Sequence, residues 1–109
     1  MRKLRIFLLF VLCAATTAIA GEIFGTIEDG GKPLPAGTKV AITAGENTYG
    51  GETDKFGAYR VVVTDKGKCT LTVIYKDQKP AASIFSYDKS TRYDWTVESV
   101  DGKLTLKRK

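Results

Sequence analysis

The chain contains no histidine, so it lacks the side chain most often used as a general base near neutral pH and as a metal ligand. Its two cysteines, Cys13 and Cys69, can form neither a Cys-His nucleophile pair nor a zinc tetrahedron without histidine partners. Carboxylates remain. Glu28 and Asp29, Glu52 and Asp54, and Asp94 and Glu98 lie close in sequence, as a hydrolase built on paired carboxylates would need. Turn chemistry accounts better for Asp29, Asp54 and Asp101, each of which shortly precedes a glycine and has a carboxylate suited to accept a nearby backbone N–H. No D-x-D-x-D-G calcium loop and no glycine-rich phosphate loop ahead of a helix is present. The expectation is a protein with no catalytic residue, no cofactor and no metal site.

Recognition chemistry is better supplied. Tyr49 sits in the glycine-rich segment 45–51 and is expected to be the most exposed aromatic. Tyr87 and Tyr93 bracket residues 88–92, a polar loop carrying Lys89 and Arg92, and loops of this kind are where binding groups concentrate. Tyr49, Tyr87, Lys89 and Arg92 are therefore the candidate recognition residues. Phe85, Tyr93 and Trp95 are expected to pack a core, where large aromatics contribute most.

The positioning elements begin after a leader. Arg2, Lys3 and Arg5 precede a charge-free apolar run over residues 6–15, and the segment closes on Ala18-Ile19-Ala20. This is the pattern of a helical secretory signal peptide, with cleavage expected between Ala20 and Gly21. The uncharged stretch is shorter than the roughly 20 apolar residues a spanning helix needs, so no membrane span is expected once the leader is removed. Lipid attachment at Cys13 is disfavoured by Leu12 before it, where a small residue is wanted. Residues 21–109 then form one domain, periplasmic or secreted.

Net charge falls from +5 for the whole chain to +2, with 14 basic against 12 acidic residues, which is no electrostatic footprint for nucleic acid. The basic residues Lys103, Lys107, Arg108 and Lys109 read as a solvated tail. Cys69 is left without an internal disulfide partner; burial in a strand is expected, with pairing between two copies as the alternative.

Apolar residues alternate in short runs, and no stretch sustains a helical period. Strands are predicted over 23–27, 38–44, 58–64, 68–75, 81–87, 92–100 and 103–107, with a short extended piece near Thr48 and Tyr49. Asp101-Gly102 favours a two-residue type I′ turn, which sets Ser99 opposite Leu104, Val97 opposite Leu106 and Trp95 opposite Arg108. Tyr93, Trp95, Val97, Leu104 and Leu106 then share an apolar face, and Asp94, Thr96, Glu98, Thr105 and Lys107 a solvated one. Seven short strands joined by turns predict an all-β, antiparallel seven-stranded β-sandwich.

Three segments carry a family resemblance. Residues 29–40 (DGGKPLPAGTKV) resemble the D-x-x-G-x-P-L-P-G-A-x-V opening of carboxypeptidase regulatory-like domains, with Ala36 and Gly37 in inverted order. Residues 52–59 (ETDKFGAY) resemble their T-D-x-x-G-x-Y/F turn, and 67–73 (GKCTLTV) their G-x-Y-T-L-T-V strand, with Cys69 in the aromatic position. The resemblance implies a transthyretin-like (prealbumin-like) sandwich. It does not extend to the hydroxyisourate-hydrolysing branch of such proteins, whose histidines and terminal Tyr-Arg-Gly-Ser are missing here. The function expected is that of a non-enzymatic exported accessory or binding module, meeting a protein or carbohydrate at the cell envelope. The alternative is a structural subunit, a homo-oligomer assembling through the edge strand 81–87, the final hairpin or Cys69.

Overall fold

The computed structural model describes residues 21–109; the predicted signal peptide, Ala20 included, lies outside them. Among the described residues there is no helix. The strands are β1 (Glu22–Asp29), β2 (Lys32–Pro33), β3 (Lys39–Ala44), β4 (Asn47–Glu52), β5 (Ala58–Val62), β6 (Gly67–Ile74), β7 (Ala81–Ser86), β8 (Thr91–Arg92), β9 (Trp95–Val100) and β10 (Lys103–Arg108). Ten strands replace the expected seven, and each addition has a local cause. Gly30 and Gly31 take positive φ (64° and 83°) and fold Lys32 and Pro33 back onto Asp29 and Glu28 as β2. Gly45, at φ 63°, lets a two-residue turn return the chain as β4, which pairs with β3 along its whole length. The predicted run 92–100 is broken at Tyr93-Asp94, which separates β8 from β9.

Two sheets result. One follows the order β4-β3-β6-β7; the other runs β10-β9-β1-β2, with β5 and β8 also pairing with β1. β1 is thus the central strand of the larger sheet, and its alternation shows it: Ile23 and Ile27 are fully buried, while Glu22, Phe24, Thr26 and Glu28 face outward at intermediate exposure. The expectation of purely antiparallel pairing is corrected here, because β8 and β9 both run parallel to β1. The inward residues of both sheets meet in one core that includes Ile42, Leu71, Val73, Val61, Tyr59 and Trp95. Burial of each large aliphatic side chain contributes about 1.5–3 kcal/mol.

The predicted turns recur where their chemistry was strongest. Asp101 and Gly102 adopt φ 53° and 81°, and the β9–β10 register is the one the type I′ turn dictates, Ser99 to Leu104 and Val97 to Leu106. Asp54 Oδ1 accepts the backbone N–H groups of Phe56 (2.8 Å) and Ala58 (3.0 Å), with Gly57 at φ 75° closing the turn. Asp29 behaves differently from the turn role expected of it. It ends β1, and its carboxylate accepts the Tyr75 hydroxyl at 2.8 Å, with burial and this bond pushing the Tyr75 phenol upward.

The two edges expected to recruit another strand, β7 and the final hairpin, each carry a side-chain cap. The Gln78 amide accepts from Leu104 N–H (2.9 Å) and donates to the Gly102 carbonyl (3.1 Å), standing in for a neighbouring peptide group on the outer edge of β10. The Tyr93 hydroxyl accepts from Phe85 N–H (3.0 Å) and donates to the Phe85 carbonyl (3.2 Å), doing the same on β7. Side-chain capping of this kind blunts edge-to-edge pairing. The basic residues Lys103, Lys107, Arg108 and Lys109 are exposed, as expected of a solvated tail. Two of them also make contacts: the Arg108 guanidinium carbon lies 4.3 Å from the Tyr93 ring centroid, and Lys109 pairs with Glu28 at 2.9 Å.

Cys69 is 3% exposed, as expected of a strand residue. Burial, with the Asp65 charge adding to it, pushes its thiol pKa upward, so the reactive thiolate is scarce at neutral pH. A thiol-specific chromogenic reagent should therefore leave the folded domain unlabelled for hours at pH 7.5 and label about one thiol per domain within minutes in 6 M guanidinium. Rapid labelling of the folded protein, or a dimer that reductant dissolves on a denaturing gel, would contradict this burial.

Candidate recognition surfaces

The four candidate residues fall into three places. Tyr87 and Lys89 stand together beyond the end of β7. Phe85 and Tyr87 project to the same side, with ring centroids 5.9 Å apart and planes inclined by 27°. Phe85, expected in the core, is 45% exposed, and Tyr87 is 50% exposed. The reason is register: Ile84 and Ser86 take the inward positions of β7, which puts the odd-numbered residues outside. Lys66 and Lys89 border this aromatic shelf, and Lys66 is paired with Asp88 at 2.7 Å.

Arg92 lies on the outer face of the larger sheet. It is the direct parallel partner of Phe24 across β8 and β1, and Arg60 is the antiparallel partner of Phe24 across β5 and β1. Three strands thus place Arg60, Phe24 and Arg92 in one row, with the guanidinium carbons 5.8 and 5.9 Å from the ring centroid. The row borders a shallow cleft that Glu52 and Asp54 also line.

Segment 88–92 connects the two surfaces and is more tightly held than a free loop. Its carbonyl at Asp88 accepts from Gly21 N–H at 3.5 Å, Ser90 donates to Glu22 at 3.0 Å, and Thr91 and Arg92 form β8.

Tyr49 belongs to neither surface. It sits on β4, partly buried against the core, with its hydroxyl 3.0 Å from Thr64 Oγ1. The glycine-rich segment is a strand rather than a loop, and among the described residues the most exposed aromatic is Phe56, at 67%.

The backbone beneath the row is irregular. In a regular parallel ladder the Tyr93 carbonyl would accept from Thr26 N–H. It turns instead toward Gly25 and into the core, where the Tyr59 hydroxyl donates to it at 2.7 Å. Asp94 replaces it: its Oδ1 accepts from Thr26 N–H at 2.9 Å and from the Thr26 hydroxyl at 3.3 Å. The same carboxylate receives the Arg92 Nε–H, at 3.1 Å to Oδ1 and 2.9 Å to Oδ2. Partial burial pushes the Asp94 carboxyl upward, but the bonds from Arg92 and Thr26 outweigh it and hold the group below its ordinary range.

Several of the carboxylates paired in sequence contact other groups. Glu28 pairs with Lys109 and Asp29 with Tyr75, Glu52 pairs with Lys39 at 3.2 Å, and Asp94 is bound as described. Among the described residues, no three acidic or thiol groups converge as cation ligands.

Sequence reasoning missed Phe24, Arg60 and Lys66. Phe24 did carry a signal: with Ile23 and Ile27 pointing inward, strict alternation puts an aromatic on the solvent side of β1. Comparison with known proteins adds no family to this description: no protein-family model matches the chain, and no curated protein matches it.

Proposed function

We propose that this chain is a non-enzymatic binding module that recognises a protein or carbohydrate at the cell envelope, built on the transthyretin-like sandwich that its turn motifs resemble. The observation that carries the reading is the shelf formed by Phe85 and Tyr87. Two large rings are stacked and half in solvent, beside Lys66 and Lys89. Exposed aromatics beside cations are typical of recognition surfaces, because burying such rings on a partner yields much of the binding energy. The side-chain caps on β7 and β10 weigh against the alternative of assembly by strand pairing.

The test is affinity capture from envelope extract with the tagged domain, followed by the double variant Phe85→Ser, Tyr87→Ser. A specific protein or polysaccharide should be retained by the wild type and lost at least tenfold with the variant. Recovery at background level, or capture indifferent to both rings, would refute the reading.

A further inference from the structure

The two arginines of the row Arg60, Phe24, Arg92 are held in place by neighbouring side chains. Each guanidinium is held by a carboxylate that a third group fixes in turn. Arg60 Nη1 donates to Glu22 at 2.8 Å, and Glu22 is held by the Ser90 hydroxyl at 3.0 Å. Arg92 donates through Nε to Asp94, and Asp94 is held by the backbone and hydroxyl of Thr26. These supports cost the cations little further entropy when a ligand arrives. Arg92 spends only Nε on Asp94, so both its terminal nitrogens are without a protein acceptor among the described residues. The two arginines are separated by two strand spacings, about 10 Å at the backbone, with the half-buried Phe24 ring between them.

The rest of the cleft narrows the ligand. Glu52 and Asp54 line the same cleft. They disfavour a densely charged anion such as a phosphate or a sulfated sugar but accept hydrogen bonds from hydroxyl groups. An aromatic ring flanked by two cations, with carboxylate acceptors in the same cleft, matches a ligand with a flat C–H face, a carboxylate and several hydroxyls.

We infer that the Arg60–Phe24–Arg92 cleft binds a carboxylated saccharide of the uronic-acid type. The ring's C–H face lies on Phe24, a carboxylate takes the terminal nitrogens of Arg92 as a charge-assisted pair, and hydroxyls reach Glu52 and Asp54. The inference rests on the binding-module reading and names the ligand class for one of its surfaces. It stands apart from the Phe85–Tyr87 shelf, so the two can fail separately.

The experiment uses trigalacturonate as the probe, with isothermal titration and backbone-amide NMR shifts on the domain spanning residues 21–109. Maltotriose, a sulfated heparin trisaccharide and inorganic phosphate serve as comparison ligands. Trigalacturonate should bind at least tenfold more tightly than maltotriose or phosphate, and shift the amides of Phe24, Thr26, Arg60 and Arg92. Arg92→Gln should weaken it at least tenfold, and Phe24→Leu, which keeps an apolar side chain but removes the ring, should weaken it severalfold. Both variants must keep a cooperative thermal transition; if Arg92→Gln unfolds, Arg60→Gln replaces it with the same expectation.

Equal binding of maltotriose would overturn the carboxylate contact. Equal or tighter binding of the sulfated sugar or of phosphate would mean a general anion site and overturn the saccharide assignment. No binding of trigalacturonate overturns the inference, and if envelope capture still depends on Phe85 and Tyr87, the binding-module reading survives it.

Discussion

Gly25→Ala is expected to destabilise the domain by at least about 3 kcal/mol, a large share of the roughly 5–15 kcal/mol that holds a small domain together. A Cβ at Gly25 would land on the Tyr93 carbonyl oxygen and stand 2.8 Å from Asp94 Oδ1. These are not flexible side-chain ends that can swing away: the carbonyl is fixed by Tyr59, and the carboxylate by Thr26 and Arg92. Relief would require β8 and the start of β9 to move off β1, which breaks the parallel pairing of Phe24 with Arg92 and of Ile27 with Trp95. Gly30→Ala is the control. Its Cβ meets nothing within 4 Å, although Gly30 sits at φ 64°, so the expected cost is only the left-handed penalty of about 1–2 kcal/mol. Urea denaturation followed by tryptophan fluorescence measures both, since Trp95 lies in the affected region. Equal, small losses for the two variants would show that the crowding at Gly25 is not real. Because Gly25 separates Phe24 from Thr26, the same variant should also dismantle the arginine row.

That local arrangement explains which parts of the molecule could be read from sequence. The β9–β10 hairpin could be read to the residue, because an Asp-Gly turn fixes register by backbone geometry alone, and the Asp54 turn for the same kind of reason. The break between β8 and β9 could not. Tyr93, Trp95 and Val97 stay buried on both sides of it, so the alternation runs through without a change of phase. What causes the break lies in β1, where a glycine admits a turned carbonyl, and in β5, which supplies the hydroxyl that receives it. Such causes are visible only after the strands are placed. The same holds for recognition. Tyr87 and Lys89 are neighbours in sequence and remain so in space, whereas Arg92 gains its partners from β1 and β5, which are distant in the chain. Phe85 shows the reverse limit: its type predicts core, but the pleat of β7 assigns the inward positions to Ile84 and Ser86.

Tyr59→Phe should cost about 3 kcal/mol and lower the thermal midpoint by roughly 10–20 °C, although it removes a single oxygen atom. The Tyr59 hydroxyl donates to the Tyr93 carbonyl at 2.7 Å and accepts from Trp95 Nε1–H at 3.2 Å. Its loss leaves two buried groups unpaired, each carrying a desolvation penalty of about 1–3 kcal/mol. The phenol also dictates a pH dependence. Burial is the largest influence on it and drives its pKa well above the ordinary tyrosine value, with the Trp95 bond pulling the other way. The folded state therefore keeps this proton after the unfolded chain has lost it. This contribution is complete below about pH 10, where tyrosine ionises in the unfolded chain. Above that, stability falls with rising pH by up to about 1.4 kcal/mol per pH unit. Urea midpoints measured between pH 8 and pH 11.5 should decline steeply beyond pH 10 in the wild type and less so in Tyr59→Phe, which has no proton to lose at this position. Parallel pH profiles for the two proteins would show that Tyr59 is not held in its protonated form by the core. Strongly additive losses in the Gly25→Ala, Tyr59→Phe double variant would count against a shared origin, because both substitutions act on the one turned carbonyl of Tyr93 and neighbours that share a partner couple.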